Sequence, residues 1–541
     1  MKRLPFSAAF AVLIGTLMSA ISCTHSDIDV TDPYAYDDGS SVSHDLIVLG
    51  DRLEDPYTVV NMTKAVSDLY PTKASSLELV PTDHYIRILP SDEAQLKTLD
   101  SLGVQMLDHP LDYEIVREGD YYHDPEIPEG GITWQYAVVP ADFEMPDGIR
   151  YELVDKCYIP SDDTKAVSAS GEDLTWVDWD AVEERAFDLT GNSELYEPPT
   201  KGSSKSRYPK GRISIMDKDY SPNPIGVKCV KVTCNVFVKF ARVYTDEEGY
   251  YQMNRSFSSK PRYRIEFTNS KGFSLGYNWI FVKGSISTLG QHGSEGYSIC
   301  ITEKSNDNLF KRSVINNATY DYYAGCTQRG ASIPTPPKNL RIWMMNIMES
   351  SSAPMLQQGP VLDMDSVKQL LGDSAAIVIP VIRMFLPDVV LGVKNKNSYP
   401  EIYRTAVHEL AHASHYMRVR NDYWDTLIKF MVSSYLSSGG VPYGSGTEDD
   451  AGYCDVTETW AYYVENALWR ERYGDTGQVF GSAWRFRPQI LLYLDDRGLN
   501  RFKIMQALSA EVHEMSSLKS RLISIFPEFK STINEAFNKY L

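Results

Sequence analysis

Long apolar runs are scarce in this chain of 541 residues. Beyond residue 23 no stretch approaches the ~18 uninterrupted apolar residues of a membrane-spanning helix, so no later segment is expected to cross a bilayer. Cysteine is sparse too. Of 7 in the chain, six lie well inside it: Cys157, Cys229, Cys234, Cys300, Cys326 and Cys454. That density excludes a disulfide scaffold. Cys229 and Cys234 are an odd number of positions apart, so they would face opposite sides of one strand and could not pair along it. Basic residues are in deficit, 53 Lys and Arg against 72 Asp and Glu, for a net charge of −19. A surface of that sign argues against nucleic acid as the main partner, because phosphate binding needs basic patches. Core-forming residues are not lacking. The chain is 43% apolar and 23% charged, an ordinary globular balance that excludes wholesale disorder. Its length suggests roughly three or four domains at about 150 residues each. Tyrosine, at 35 against 19 phenylalanines, fits an extracytoplasmic protein containing β-structure.

The one long apolar run opens the chain. Lys2 and Arg3 precede an apolar segment from Phe6 to Ala20, too short to span a membrane comfortably but flanked like a signal peptide. It ends in Ala20-Ile21-Ser22-Cys23, which resembles the lipobox of bacterial lipoproteins, with alanine where leucine is usual. The resemblance implies a signal peptide over 1–22, lipidation of Cys23 and a polar tether over 23–45 that is too acidic to fold alone. The acidic residues after the cysteine resemble the tethers of Bacteroidetes-type surface lipoproteins. That implies an outer-membrane lipoprotein, facing the cell surface or the periplasm, whose only membrane contact is its lipid.

Three folded regions are expected after the tether. Residues 46–200 read as an α+β domain. His84–Leu89 is a strand, Ser91 caps a helix through Leu102 that Gly103 stops, and Val104–Leu107 is a second strand, making a small βαβ-like unit. Ile132–Val139 is a further strand. Residues 196–211, rich in Pro, Gly, Ser and Lys, read as a linker. Residues 212–300 read as all-β and sandwich-like. Val227–Val243 is β-branched and aromatic, Thr245–Tyr251 supplies a turn and a strand, and Arg262–Phe267 alternates. This stretch resembles the carboxypeptidase-regulatory-like sandwich, which implies a spacer or adhesive role and no chemistry. Residues 301–541 read as mainly helical.

The chemistry is concentrated in the last region. Ser398 and Glu401 form a capping box with Pro400 in the first turn, so a helix starts there. His408 and His412, four apart, then project from one face of it, the spacing of two nitrogen ligands on one zinc ion. Glu409 is rotated by about 100° and would reach a water on the metal rather than the metal itself. The competing reading is a buried helix with satisfied histidines. A third ligand must come from elsewhere. Glu458 begins a second helix, Val456–Glu465, 46 positions after His412. Asp449 is its rival. Glu465, two turns beyond Glu458, is placed to support a ligand.

The run His408-Glu409-Leu410-Ala411-His412 with downstream Glu458-Thr459-Trp460-Ala461 resembles the HExxH zincin metallopeptidases of the gluzincin sort. By that resemblance His408, His412 and Glu458 bind Zn2+ and Glu409 is the general base acting on a zinc-bound water. Gly446-Thr447-Glu448-Asp449 resembles instead the aspzincin motif that would nominate Asp449. His415 does not fit the metzincin pattern, because Ala413-Ser414-His415 continues the helix. Tyr453, Tyr462, Tyr463 and His415 all stand near enough in sequence to donate to an oxyanion, and spacing does not choose among them. Cys454, four residues before Glu458, is either a latent ligand or a packed side chain. The apolar run Ala375–Phe385 is either an edge strand that holds peptide or a buried segment. The expected function is zinc-dependent hydrolysis of a protein or peptide substrate. The alternatives are a surface binding or adhesion lipoprotein with an inert zincin-like domain, and a zinc hydrolase acting on another bond.

Overall fold

A computed structural model describes residues 46–541 except 74–76, 92, 128–132, 161–172, 198–206, 277–283, 329, 347, 360–386, 439–440, 475–476 and 482–483. The signal segment, Cys23, the tether, most of the expected linker and the run over 375–385 lie outside the described residues. The chain combines helices and several sheets, distributed unevenly along its length. Among the described residues no helix is long and apolar enough to cross a membrane.

The N-terminal region contains β1 (Val48–Arg52), α1 (Val59–Leu69), β2 (Asp83–Leu89), α2 (Glu93–Ser101), β3 (Met106–Leu107), β4 (Tyr113–Arg117), β5 (Gln135–Pro140), β6 (Arg150–Cys157) and α3 (Trp179–Leu189). One sheet has the order β3-β5-β2-β6 and β1 pairs separately with β4. The expected β2-α2-β3 unit forms, and Gly103 ends α2 at a φ of 75° that suits glycine. β5 inserts between β2 and β3, so the unit is a split one. Ile86, Ile88, Leu99 and Val139 form its small separate core.

The middle region runs β7 (Lys210–Ile215), β8 (Ile225–Gly226), β9 (Val230–Val236), β10 (Lys239–Tyr244), β11 (Tyr250–Gln252), β12 (Arg262–Asn269), β13 (Ser274–Leu275), β14 (Ile286–Gln291) and β15 (Ile299–Ile301). β9 and β10 form a tight hairpin with Val236 opposite Lys239. The turn before β11 needs glycine: Gly249 has φ 82° and a Cβ there would stand 2.0 Å from the Ile213 carbonyl.

The boundary expected near residue 300 does not separate the sheets. After α4 (Asp307–Gly325) and the hairpin β16 (Thr327–Gln328) and β17 (Ala331–Ser332), the strands β18 (Arg341–Met345) and β19 (Val389–Gly392) join the larger middle sheet. Its order is β10-β9-β12-β13-β18-β19, with β14 also on β12. β13, β18 and β19 are parallel neighbours. Parallel neighbours need a crossover, and α4 supplies the one from β13 to β18. This sheet is therefore mixed and helix-covered. The smaller one, β11-β7-β15 with β8 on β7, remains beside it. The apolar core is correspondingly continuous from Tyr57 to Phe537.

The C-terminal region is helical: α5 (Tyr399–Val419), α6 (Asn421–Ser438), α7 (Ala451–Tyr473), α8 (Pro488–Asp495), α9 (Arg501–Ala507), α10 (Met515–Ile525) and α11 (Lys530–Tyr540). α5 is the hub. It packs on α4, α7, α6 and β19. Buried polar contacts set the register of these elements. The Trp460 indole of α7 donates to the Ala411 carbonyl of α5 at 3.1 Å, and the Tyr322 hydroxyl of α4 donates to Ser414 Oγ at 3.0 Å. Arg472 near the end of α7 donates to fully buried Asp217 at 2.7 Å, tying the helices to the middle region.

The N-terminal region is fastened by a buried ion pair. Lys239 Nζ of β10 lies 2.6 Å from Glu183 of α3, which also accepts from Ser258 Oγ at 2.5 Å. Removing one partner of such a pair strands the other charge. Lys239→Met is expected to destabilise the chain by about 3–5 kcal/mol in chemical denaturation, and adding Glu183→Leu to recover most of that loss.

Candidate metal centre

The site is built from two helices meeting in a dry core. α5 starts where its capping box places it: the Ser398 N–H donates to the Glu401 carboxylate at 3.1 Å and the Ser398 hydroxyl at 2.6 Å. Three turns on, His408 and His412 share one face, and both are 1% exposed. α7 presents Glu458 and Glu465, two turns apart and 2% and 3% exposed, to that face.

Three side chains converge on one point. His408 Nε2 lies 3.2 Å from His412 Nε2, 3.4 Å from Glu458 Oε2, and His412 Nε2 lies 3.5 Å from Glu458 Oε1. His408, His412 and Glu458 form the group able to hold a metal ion among the described residues. Glu465 sits behind His408: its Oε2 is 3.0 Å from His408 Nδ1. An Nδ1–H donated there leaves Nε2 free to act as a ligand toward the centre, the usual arrangement behind a metal-binding histidine. Arg404, one turn before His408, approaches Glu465 at 3.3 Å and stacks over Trp469 at 3.9 Å. Its four-residue spacing from His408 is the one sequence signal for that role.

Charge explains why these atoms tolerate one another. Burial opposes a charged His408, but hydrogen bonds to Glu458 and Glu465 and the nearby Glu409 charge outweigh it and push its pKa up to about 10. Burial, followed by the His408 charge, holds His412 well below the ordinary imidazole range. In the metal-free chain a proton on His408 therefore stands in for a cation. Glu409 is fully buried next to His408, and its charge acts on His408 and on Lys396.

The remaining candidates fall elsewhere. Asp449 is exposed at the end of a turn that Glu448 closes by accepting the Ser445, Gly446 and Thr447 amides at 2.7, 2.9 and 3.1 Å. His415 is fully buried against Tyr423 and Trp424, and burial lowers its pKa to about 3. Cys454 is buried, which holds its thiol well above the ordinary range and protonated. Tyr453 stacks on His513, and Tyr463 donates to Asp495 at 2.9 Å. Among the four oxyanion candidates, Tyr462 packs its ring edge-on against His408, with ring centroids 4.5 Å apart. A cavity of about 10 Å³ adjoins His412 and Glu458, room for about one water.

Comparison with family models, curated proteins and solved structures finds no match. The site must therefore be judged on its own chemistry.

A pH dependence follows from the His408 proton. Its folded pKa, about 10, lies above the ordinary 6.5. In the metal-free chain its stabilising effect is complete below the ordinary value and is lost as pH rises through about 10. Metal uptake must expel that proton. Apparent metal affinity is expected to rise about tenfold per pH unit between neutrality and pH 10, with one proton released. Calorimetry in buffers of different ionisation enthalpy measures the proton count.

Proposed function

We propose that this chain is a zinc-dependent peptide hydrolase, exported and held to the outer membrane by a lipid on Cys23. One observation carries the metal assignment. Ligands on a tetrahedral zinc with bonds of about 2.0–2.1 Å are separated by about 3.3–3.4 Å. Here the two histidine nitrogens are 3.2 Å apart, the two Glu458 oxygens stand 3.4 and 3.5 Å from one nitrogen each, and one ligand atom from each residue lies within 4.8 Å of the others, a spacing that a single ion can draw together. The donor set of two imidazoles and one carboxylate also suits zinc and leaves a fourth position for water or substrate.

The residues divide the work. His408, His412 and Glu458 would hold the ion, and Glu465 would fix the His408 tautomer. Zinc, when bound, acidifies water and polarises a carbonyl. Glu409 takes the proton of the attacking water and passes it to the amine nitrogen as the C–N bond breaks, so one water is consumed per bond. Tyr462, whose ring lies against His408, would be the donor that meets developing negative charge on the carbonyl oxygen. The acidic surface supports a protein or peptide substrate rather than nucleic acid.

A second reading, a binding or adhesion lipoprotein with an inert site, is favoured by one observation: the centre is closed to solvent, with its ligands 1–2% exposed. The two readings part in one assay. Hydrolysis of an unfolded protein should be abolished by a chelator and restored by zinc. Glu409→Gln should keep its zinc and lose about 10²–10⁴ in rate. Zinc retained with no hydrolysis by the unaltered chain under any condition would favour the inert reading.

A further inference from the structure

The closure itself has a structure. Residues 348–356 follow β18 and double back along β19. Ser352 and Val390 exchange both backbone hydrogen bonds, at 2.9 and 2.8 Å, in antiparallel sense. The Gly392 N–H donates to Ser351 Oγ at 3.0 Å, and the Met355 N–H donates to the Asp388 carbonyl at 3.0 Å. Among the described residues β19 is the last strand of its sheet. The segment therefore takes the pairing positions that an added peptide strand would use.

The same segment reaches the metal ligands. Ala353 and Pro354 line the small cavity beside His412 and Glu458, against Trp424 and Met431. The Trp424 indole donates to the Ala353 carbonyl at 2.9 Å. Lys396 clamps the start of the segment, donating to the Glu349 carbonyl at 2.8 Å and to the Gly392 carbonyl of β19 at 2.6 Å. Met355, fully buried, is held in the left-handed region at φ 56°, a conformation a non-glycine residue keeps only when its surroundings impose it.

We infer that residues 348–356 are an internal substrate mimic that keeps the centre latent by occupying the β19 edge and the apolar wall beside His412. The inference rests on the zinc-hydrolase reading. It names the ligand class as well: the strand that displaces the segment is an extended peptide carrying a small apolar side chain where Ala353 and Pro354 now sit. Segment and substrate compete for one groove, so apparent affinity falls with the fraction of chains in which the groove is open.

A reversible lock tests this in the full chain. Ser352 and Val390 form a hydrogen-bonded antiparallel pair, whose Cα atoms are about 5.5 Å apart and within disulfide reach. The Ser352→Cys/Val390→Cys chain, loaded with zinc, is titrated with an alanine-containing tripeptide hydroxamate, oxidised and then reduced, beside the unaltered chain treated alike. Ser352→Pro, which removes the donor to Val390, serves as an independent loosened form. The reduced double variant is expected to bind the hydroxamate at least about tenfold more tightly than the oxidised one, and Ser352→Pro more tightly than the unaltered chain. Equal binding by locked and unlocked forms would overturn the inference, as would zinc-loaded unlocked chains that bind no hydroxamate. Zinc content is read in every form. Failure of all forms to take up zinc would overturn the zinc reading itself, and the inference with it.

Discussion

Three carboxylates, those of Glu409, Glu458 and Glu465, are buried around one helix–helix contact with exposures of 0%, 2% and 3%. Buried anions are costly unless cations and hydrogen bonds compensate them. Arg404 and a protonated His408 answer part of that charge. A divalent cation between His408, His412 and Glu458 would answer more of it. The packing of α5 against α7 depends on this compensation, because their facing surfaces place acids where a purely structural interface would place leucine. The site is thus costly as structure, which is the physical mark of a candidate functional centre.

The rest of the molecule holds that contact in place. α4 backs α5 through Tyr322 and Ser414, β19 supports it from the sheet, and Arg472 anchors the far end of α7 on Asp217. The N-terminal region is fastened to the same body by Lys239 and Glu183, and Arg312 of α4 reaches Asp120 at 2.7 Å. A rigid surround matters for a metal centre because ligand atoms a few tenths of an ångström out of place lose affinity and selectivity. It also explains how a segment as short as 348–356 can close the site: its anchors are themselves on well-packed elements.

Much of the centre was legible in the sequence because it is written in local spacing. Ser398, Glu401 and Pro400 located the start of α5, and the four-residue interval of His408 and His412 put both rings on one face. Glu458 and Glu465 were readable as one stripe of a second helix, and the gluzincin resemblance favoured Glu458 over Asp449; the fold brings Glu458 to the two histidines and leaves Asp449 in an exposed turn. The sheet was less legible. β13, β18 and β19 are two to five residues long and far apart in sequence, so no periodicity marks them as neighbours, and the expected boundary near 300 cut through their sheet. The segment over 348–356 could not be foreseen at all. Its pairing with β19 is a long-range backbone contact, which side-chain patterns do not encode.

The most direct test of the account is anomalous diffraction at the zinc edge from crystals grown with zinc. A strong peak is expected between His408 Nε2, His412 Nε2 and the Glu458 carboxylate, with Glu465 on the far side of the His408 ring. Zinc absent from that position, or found only at an exposed carboxylate such as Asp449, would contradict it.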